Sequence, residues 1–310
     1  MAARSLRAFK SIFVEGHFHR IWQILLKSPL AHTLANLHAL RSPQIKKARI
    51  SLLNSVQLSA AQNRIVSDLQ QQGFSRIDDL FSPSDFTPLQ SYLDEKTRQI
   101  ETAKSQQLST HKDFWVRLSD TDFTEGMTTS HPLVQLSLKE NILEVVGAYL
   151  KQAAFLEYIL LTYSMPSPQP LKSSQLWHQD HDNNRMLKLF FYLSDVKDDQ
   201  SGPFTLLPKQ ANQLIRNSFF PRHLPDAEVN AQYPLQKAVQ IKGRRFSAFL
   251  VDTSLCYHMG SRVAEGHFRL MSTSLYVTLP KAYWGPVKNF VQADGPLSPL
   301  QKAAVMSELT

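Results

Sequence analysis

Two side chains that can bind a metal stand two positions apart in the stretch Trp177-His-Gln-Asp-His-Asp182. On an extended backbone alternate side chains leave the same face, so His178 and Asp180 are expected to point in one direction. An imidazole and a carboxylate on one face supply two of the three ligands of the facial triad that holds non-haem Fe(II). A solvated polar turn would show the same pair, so the interpretation depends on the sequence around it.

A third ligand and a cation follow further along the chain. His258 comes after the β-prone run Ser247–Val251 and the polar turn Asp252-Thr-Ser254, and Arg269 stands eleven residues beyond His258. A second imidazole would complete the triad. A 2-oxo acid bound to that metal would need a cation for its distant carboxylate, and a planar guanidinium matches a carboxylate.

The order and spacing of these residues resemble the phytanoyl-CoA dioxygenase family of Fe(II)- and 2-oxoglutarate-dependent oxygenases. The stretches that carry the resemblance are Leu176-Trp-His-Gln-Asp180, Leu187-Lys-Leu-Phe-Phe-Tyr-Leu-Ser-Asp-Val196, Ser201-Gly-Pro-Phe-Thr-Leu-Leu-Pro208, Asp252-Thr-Ser-Leu-Cys-Tyr-His258 and Phe268-Arg269. A weaker similarity covers Leu58–Leu93, so the match spans roughly residues 58–280. Each motif is degenerate, and their common order makes the resemblance specific.

The resemblance implies a reaction and a role for each matching residue. His178, Asp180 and His258 would be the iron ligands, and Arg269 would pair with the distal carboxylate of 2-oxoglutarate. The cofactors would be Fe(II), 2-oxoglutarate as co-substrate and O₂. The reaction would hydroxylate or otherwise oxidise a C–H bond of a small organic or lipid-like substrate. Related halogenases carry a small residue in place of the acid, so Asp180 argues against halogenation.

Two further residues are expected near the co-substrate, and two positions depart from the family pattern. Gln175 and Tyr163 lie where related enzymes often place side chains that touch 2-oxoglutarate. Met271 stands where a hydroxyl residue often assists carboxylate binding, and Lys209-Gln-Ala211 replaces the usual turn beside the substrate mouth. The substrate of the family is therefore not transferred to this chain.

Three residues compete with the assigned ones. Arg262 is a second candidate for the carboxylate partner, but it falls in a turn, whereas Arg269 opens a strand. His181 and Asp182 compete with Asp180 as ligands. His181 would leave the opposite face of an extended backbone from His178, so a supporting or solvated position is expected for it.

Short β-prone runs separated by turns dominate the second half of the chain. They are Phe155–Tyr163, Leu187–Leu193, Phe204–Leu207, Val239–Ile241, Ser247–Val251 and Phe268–Thr278. No helical stretch of 10–15 residues lies between them, which argues against a parallel βαβ sheet and favours an antiparallel sandwich or barrel. We therefore expect an α+β protein with a mainly β core, a double-stranded β-helix (jelly-roll, cupin-like) flanked by N-terminal helices.

Helical periodicity precedes the strands. Helices are predicted from Ser59 to Gln72, where Gly73 would end the helix, from Ser82 to about Ala103, and from His131 to Leu150. The runs Phe74–Phe81 and Phe114–Leu118 are expected to be strands.

The net charge of +8 is concentrated in a basic leader. Residues 1–50 contain nine Lys and Arg residues and one acid, Glu15, and the remaining 260 residues contain 25 of each sign. This distribution argues against a nucleic-acid-binding surface on the body of the protein. The leader is expected to be a helix packed on the main domain, or a peripheral contact with a membrane or a protein partner.

These features predict three regions: a leader at residues 1–50, a dioxygenase domain at 51–285 and a C-terminal extension at 286–310. Within the domain, residues 51–150 would be helical support, and about 153–280 the jelly-roll core. The single cysteine, Cys256, excludes an intrachain disulfide and is expected to be a buried hydrophobe. A cytoplasmic location is the expectation, with a small-molecule substrate, no nucleic-acid partner and no oligomeric state assigned.

Two other functions remain open from the sequence. The chain could be a catalytically inactive or zinc-binding cupin-like protein that serves as a binding or scaffold module, and the intact His178, Asp180, His258 and Arg269 set argues against this. Alternatively, the barrel could be passive and the basic leader could carry the function as a membrane or nucleic-acid adaptor. Phosphate-binding loops, nucleophile elbows and His-Glu-x-x-His motifs are absent from the sequence.

Overall fold

The computed structural model describes residues 43–107, 113–118, 127–183, 185–217, 222–281 and 289–308. The predictions for residues 1–42 lie outside the described residues. The end of the leader forms helix α1 (Pro43–Ser51), in which Arg49 is fully buried. Its guanidinium donates to the carbonyls of Ala153, Ala303 and Met306. One charge of the leader therefore joins this helix to the C-terminal part of the chain inside the protein.

Helix α2 (Ala60–Gln72) begins and ends where the sequence predicts. The Ser59 hydroxyl accepts from the N–H of Gln62, and the Gln62 side chain accepts from the N–H of Ser59, so the two residues form a capping box. At the other end Gly73 has a φ of 83°, and its N–H donates to the carbonyl of Leu69. Glycine adopts this left-handed conformation without steric cost.

The other helices depart from the predicted bounds in places. They are α3 (Thr87–Gln107), α4 (Pro132–Ser137), α5 (Glu140–Leu150), α6 (Asp226–Asn230) and α7 (Pro299–Val305). The helix predicted from His131 to Leu150 is two helices, because the extended backbone of Lys139 (ψ 132°) separates α4 from α5. The strand predicted to reach Phe81 ends at Arg76 and is followed by a 3₁₀ turn, Asp78–Leu80.

Within the described residues, two antiparallel sheets and one short parallel pair of strands form the β part of the protein. The strands of the antiparallel sheets are β1 (Phe74–Arg76), β2 (Trp115–Arg117), β4 (Phe155–Ser164), β5 (Met186–Tyr192), β6 (Phe204–Leu206), β7 (Val239–Ile241), β8 (Ala248–Val251), β9 (His258–Met259) and β10 (Arg269–Val277). The larger sheet has the order β1-β8-β5-β10-β4-β2, and the smaller has the order β7-β6-β9. A short parallel pair joins β3 (Met127–Thr128) to β11 (Val291–Gln292). The antiparallel pairing predicted for the core strands is confirmed.

Each face of the larger sheet packs against a different layer. On one face, side chains such as Leu161, Leu189 and Leu250 share an apolar core with α2, α3, α4, α5 and α7. On the other face, Phe190 packs against Phe204 of the smaller sheet, with ring centroids 4.7 Å apart. Because both faces are covered, every residue of β5 is buried, including its one charged residue.

The C-terminal part of the chain packs on the helical layer. Leu300, Ala303 and Ala304 of α7 belong to the same apolar core as Val146 of α5. The three-region division predicted from the sequence stays a prediction, although α1 and α7 both contact the central region. No helix within the described ranges combines the length and apolarity needed to cross a membrane.

Candidate metal centre

The two candidate histidine ligands are paired through their backbones. The N–H of His178 donates to the carbonyl of His258 at 3.0 Å, and the N–H of His258 donates to that of His178 at 2.9 Å. The segment that contains Trp177 and His178 therefore lies beside β9, on the side away from β6. On its own far side this segment pairs with Leu224 through Trp177. Residues that face each other in such an antiparallel pair carry their side chains on one side of the sheet.

Both imidazoles are oriented by hydrogen bonds to nearby carbonyl groups. The Nδ1 atom of His178 lies 2.8 Å from the carbonyl oxygen of Leu176, and the Nδ1 atom of His258 lies 3.0 Å from that of Cys256. A carbonyl oxygen can only accept, so each Nδ1 carries the proton. The Nε2 lone pairs are therefore free to bind a metal, as in metal sites whose histidines are oriented by their other nitrogen.

Asp180 completes the group of ligands. Its N–H donates to the carbonyl of Thr253 at 2.9 Å, which ties the residue to the turn before His258. Its Oδ1 atom lies 3.8 Å from Nε2 of His178, and its Oδ2 atom lies 3.4 Å from Nε2 of His258. One ligand atom from each of the three residues falls within 4.8 Å of the others. Two imidazoles and one carboxylate at this spacing match the facial triad of non-haem Fe(II).

The electrostatics of the site hold its groups in the protonation states that a metal requires. Burial, followed by the proximity of His258, lowers the pKa of His178 to about 3, so its ring is neutral near pH 7. Burial on its own would raise the pKa of Asp180, but neighbouring charge, chiefly the ammonium group of Lys188, outweighs burial and holds that pKa well below its usual range. A neutral imidazole and an ionised carboxylate are the metal-binding forms of these residues.

A cavity of about 310 Å³ between the two sheets contains the triad. Its floor is the inner face of the larger sheet, where alternate residues of three strands point toward the smaller sheet. These residues are Tyr158, Leu160 and Thr162 of β4, Lys188 and Phe190 of β5, and Arg269, Met271 and Thr273 of β10. The smaller sheet contributes His178, His258 and Phe204, and His223 lies beside His178 with ring centroids 4.8 Å apart.

Arg269 extends into this cavity without an acidic partner. Its side chain is 2% exposed and donates to the carbonyl of Gly202 and to the hydroxyls of Ser164 and Ser261. The Nε atom is buried and has no hydrogen-bond partner, and no carboxylate among the described residues pairs with the guanidinium. Burial lowers the pKa of Arg269, and the nearby Tyr192 offsets this effect only in part. A buried guanidinium with a spare donor in a cavity fits an anionic ligand.

The other residues singled out from the sequence are not at the cavity. The Gln175 amide donates to the carbonyl of Ser261 at 3.1 Å, so it supports the loop that holds a serine against Arg269. Tyr163 lies on the opposite face of β4, where its ring stacks on Phe268 at 5.5 Å. Contact of Tyr163 with a co-substrate in this cavity is therefore not supported by its position.

The competing candidates are also accounted for. Arg262 donates two 2.7 Å bonds to the carboxylate of Asp226, outside the cavity, and that same carboxylate accepts from Nε1 of Trp177 at 2.8 Å. Asp182 accepts from Tyr158 at the edge of the site. His181 is not part of the ligand group.

Three residues around the site escaped the sequence analysis. Ser164 and Ser261 supply the hydroxyls beside Arg269 that the sequence pattern led us to expect at position 271, and Lys188 contacts Asp180. Lys188 carried a signal, because a lysine inside a run of apolar residues is rarely buried unless it is paired. The serines carried none, since their approach to Arg269 depends on the pairing of distant segments.

Comparison with known proteins gives a solved structure of similar fold. No family model and no curated protein matches the chain. EctD from S. alaskensis, solved with 2-oxoglutarate and 5-hydroxyectoine, gives a TM-score of 0.50 at 16% identity, covering 73% of this chain and 78% of EctD.

Two further solved structures give lower scores. AviO1 from Streptomyces viridochromogenes Tue57 gives a TM-score of 0.48 at 16% identity, over 76% of this chain and 100% of AviO1. HygX from Streptomyces hygroscopicus, solved with nickel, 2-oxoglutarate and hygromycin B, gives a TM-score of 0.45 at 16% identity, over 72% of this chain and 88% of HygX. EctD has also been solved with bound Fe. 2-Oxoglutarate, which the sequence predicts for this chain, is thus present in the EctD structure of similar fold.

Proposed function

We propose that this protein is a non-haem Fe(II)- and 2-oxoglutarate-dependent oxygenase that hydroxylates or otherwise oxidises a C–H bond of a small organic substrate. The observation that carries the proposal is one cavity that contains both a His178, Asp180, His258 group and the unpaired guanidinium of Arg269. A double-stranded β-helix core and a relationship to the phytanoyl-CoA dioxygenase family are part of this proposal. When bound, Fe(II) and 2-oxoglutarate would supply the electrons that activate O₂ for oxidation of the substrate.

The chain's own residues have separate tasks in this proposal. His178, Asp180 and His258 would hold the metal through two imidazole nitrogens and carboxylate oxygen. Arg269 binds the distal carboxylate of 2-oxoglutarate, and the hydroxyls of Ser164 and Ser261 keep the guanidinium in place. The layers on both faces of the larger sheet bury Arg269 and His258, which strengthens the charged contacts that these side chains make.

The cavity favours a small polar substrate over a long acyl chain. Its volume of about 310 Å³ is at the lower end of ligand pockets and has to accommodate the co-substrate as well. Its lining includes the hydroxyl residues Ser173, Ser174, Thr162 and Thr273. Asp180 occupies the ligand position that halogenases leave open, so oxidation rather than halogenation is proposed.

The test is anaerobic difference spectroscopy of the full-length protein with Fe(II) and 2-oxoglutarate. We expect the metal-to-ligand charge-transfer band of the ternary complex in the wild type and its loss in His178→Ala. His267→Ala is the matched control, because His267 is partly exposed and outside the cavity. A wild type without the band, or a His178→Ala variant that keeps it, would contradict the proposal.

A cytoplasmic location, a small-molecule partner and the absence of a nucleic-acid partner stay predictions. The same is true of a membrane or protein contact by the leader, because residues 1–42 are outside the part of the chain that the structure describes.

A further inference from the structure

A buried lysine lies directly beside the candidate iron ligands. Lys188 is the one charged residue of β5, and its side chain points into the cavity between the two sheets. Its ammonium group lies 2.8 Å from Oδ2 of Asp180 and 3.2 Å from a carboxylate oxygen of Asp182. The ring of Tyr158 lies 5.7 Å away on the neighbouring part of the floor.

Burying a lysine costs free energy unless its charge is compensated, so the position of Lys188 needs a physical reason. Lys188 is 7% exposed on a strand whose other residues are all apolar or aromatic, so a hydrophobic residue would fit the same layer. Two carboxylates compensate its charge, and of these Asp180 is a candidate ligand whereas Asp182 is not. The position of the ammonium group therefore bears on how Asp180 can bind a metal.

An aspartate can offer a metal one oxygen or both. Oδ2 lies 3.4 Å from Nε2 of His258 but is held by Lys188 in a short charged hydrogen bond. Oδ1 lies 3.8 Å from Nε2 of His178 and is outside that bond, so it is the oxygen left to coordinate. In a six-coordinate site, two imidazoles and one carboxylate oxygen leave three positions for other ligands. A bidentate carboxylate would leave two, which a chelating 2-oxo acid would fill completely.

We propose that Lys188 is a positioning residue that restricts Asp180 to binding the metal through one oxygen and so keeps a third coordination position open on the side of the cavity. This inference rests on the proposed function, because it assumes that His178, Asp180 and His258 hold a metal. It predicts that removal of the ammonium group frees Oδ2, adds a ligand to the metal and closes one position.

The experiment counts the water molecules on Mn(II) bound to the full-length protein. Mn(II) suits the same nitrogen and oxygen ligands, and the broadening of its electron paramagnetic resonance lines by ¹⁷O-labelled water reports how many waters it holds. We expect about three waters in the wild type and about two in Lys188→Met. Lys188→Arg retains a charged donor and is expected to keep the wild-type number.

Mn(II) affinity separates this role from simple damage to the fold. Removing a positive charge next to a divalent cation, and adding a ligand oxygen, should make Lys188→Met bind Mn(II) at least about fivefold more tightly. A variant whose site had merely become disordered would bind more weakly. The matched control is Lys281→Met, because Lys281 is also buried and paired with an acid, Glu157, but lies outside the cavity.

Each outcome decides the inference. Fewer waters and tighter binding in Lys188→Met, with the wild-type values in Lys281→Met and Lys188→Arg, would support it. An unchanged water count or weaker binding in a folded Lys188→Met would overturn it. Two waters in the wild type would overturn it whether or not the variant folds. A wild type that binds no Mn(II) would overturn the proposed metal site itself, which distinguishes the two failures.

Discussion

His178 and His258 exchange both main-chain hydrogen bonds, at 3.0 and 2.9 Å, although eighty residues separate them in the sequence. Their ring centroids are 4.3 Å apart. The register of this pair places the two imidazoles side by side on the face that looks into the cavity. A shift of one residue would send one ring to the other face of the sheet, so the pairing itself determines whether a metal centre can form.

Replacement of one histidine should therefore remove the metal centre without removing the fold. His258→Ala is expected to lower the affinity for Fe(II) or Co(II) by at least about 100-fold, because it takes away a ligand rather than a supporting hydrogen bond. Anaerobic calorimetric titration measures the change, and His267→Ala, outside the cavity, serves as the control. An affinity within about tenfold of the wild type would mean that His258 is not a ligand.

The two arginines near the site can be separated by their effects. Arg269→Gln removes the guanidinium whose Nε is unpaired in the cavity, and it should weaken 2-oxoglutarate binding by about 10- to 100-fold, the usual cost of a lost charged hydrogen bond or two. Arg262→Gln breaks the pair with Asp226 instead and should leave that affinity within about twofold. The measurement is the Kd of 2-oxoglutarate from the charge-transfer band. The reverse order of effects would assign the carboxylate to Arg262.

The pair of Asp226 with Arg262 is expected to make the stability of the fold depend on pH in the acid range. The hydrogen bond from Arg262 lowers the pKa of Asp226 against the opposing effect of burial. Because this pKa is lowered in the folded state, the contribution of Asp226 to the free energy of unfolding is complete above the ordinary aspartate pKa. It is lost as the pH falls through the pKa that Asp226 has in the folded protein. Because the side chain is 45% exposed, solvent screening limits this contribution to about 1 kcal/mol or less.

Urea unfolding at pH 7 and at pH 3 checks this expectation. Asp226→Asn should lower the free energy of unfolding at pH 7 by about 0.5–1 kcal/mol. Between pH 7 and pH 3 the free energy of unfolding should fall less in this variant than in the wild type. Glu228→Gln on the same helix is the control, since its pair with Arg222 is exposed on both sides and should contribute little at either pH. Equal pH dependence in Asp226→Asn and the wild type would be the contrary result.

Gly73 joins α2 to the segment that leads to His258. It has a φ of 83°, its carbonyl accepts from the N–H of Asp252 at 2.8 Å, and a Cβ at this position would lie 2.4 Å from the sulfur of Cys256. Gly73→Ala is therefore expected to lower the free energy of unfolding by about 2–4 kcal/mol, through backbone strain and overpacking together.

A double-mutant cycle separates the two causes. Cys256→Ala removes the sulfur, so the cost of Gly73→Ala should be about 1–2 kcal/mol smaller in that background, with the strain at the backbone remaining. Denaturant unfolding of the four proteins gives the coupling. Strict additivity would show that the sulfur does not oppose the added methyl group.

The sequence by itself determined the kinds of side chain at the site and the elements on which they lie. His178 and Asp180 share a face because side chains alternate along an extended chain, and this property is local. The β-prone runs that contain or precede His258 and Arg269 are also local, and the bounds of β8 and β10 agree with the predicted runs to within a residue. These features need only the pattern of polar and apolar residues and the turns between them.

Only the tertiary structure decided which of the two faces of each strand looks into the cavity. Arg269 pairs with Ser164 in the register of β10 and β4, so Ser164 meets the guanidinium, and Tyr163, one residue earlier, faces the helical layer. Strand periodicity is two, so the sequence leaves this parity open until a partner strand fixes the register. The same holds for Lys188, whose neighbour Asp180 lies on another segment. Contacts between distant segments therefore established the surroundings of the ligands that local pattern had predicted.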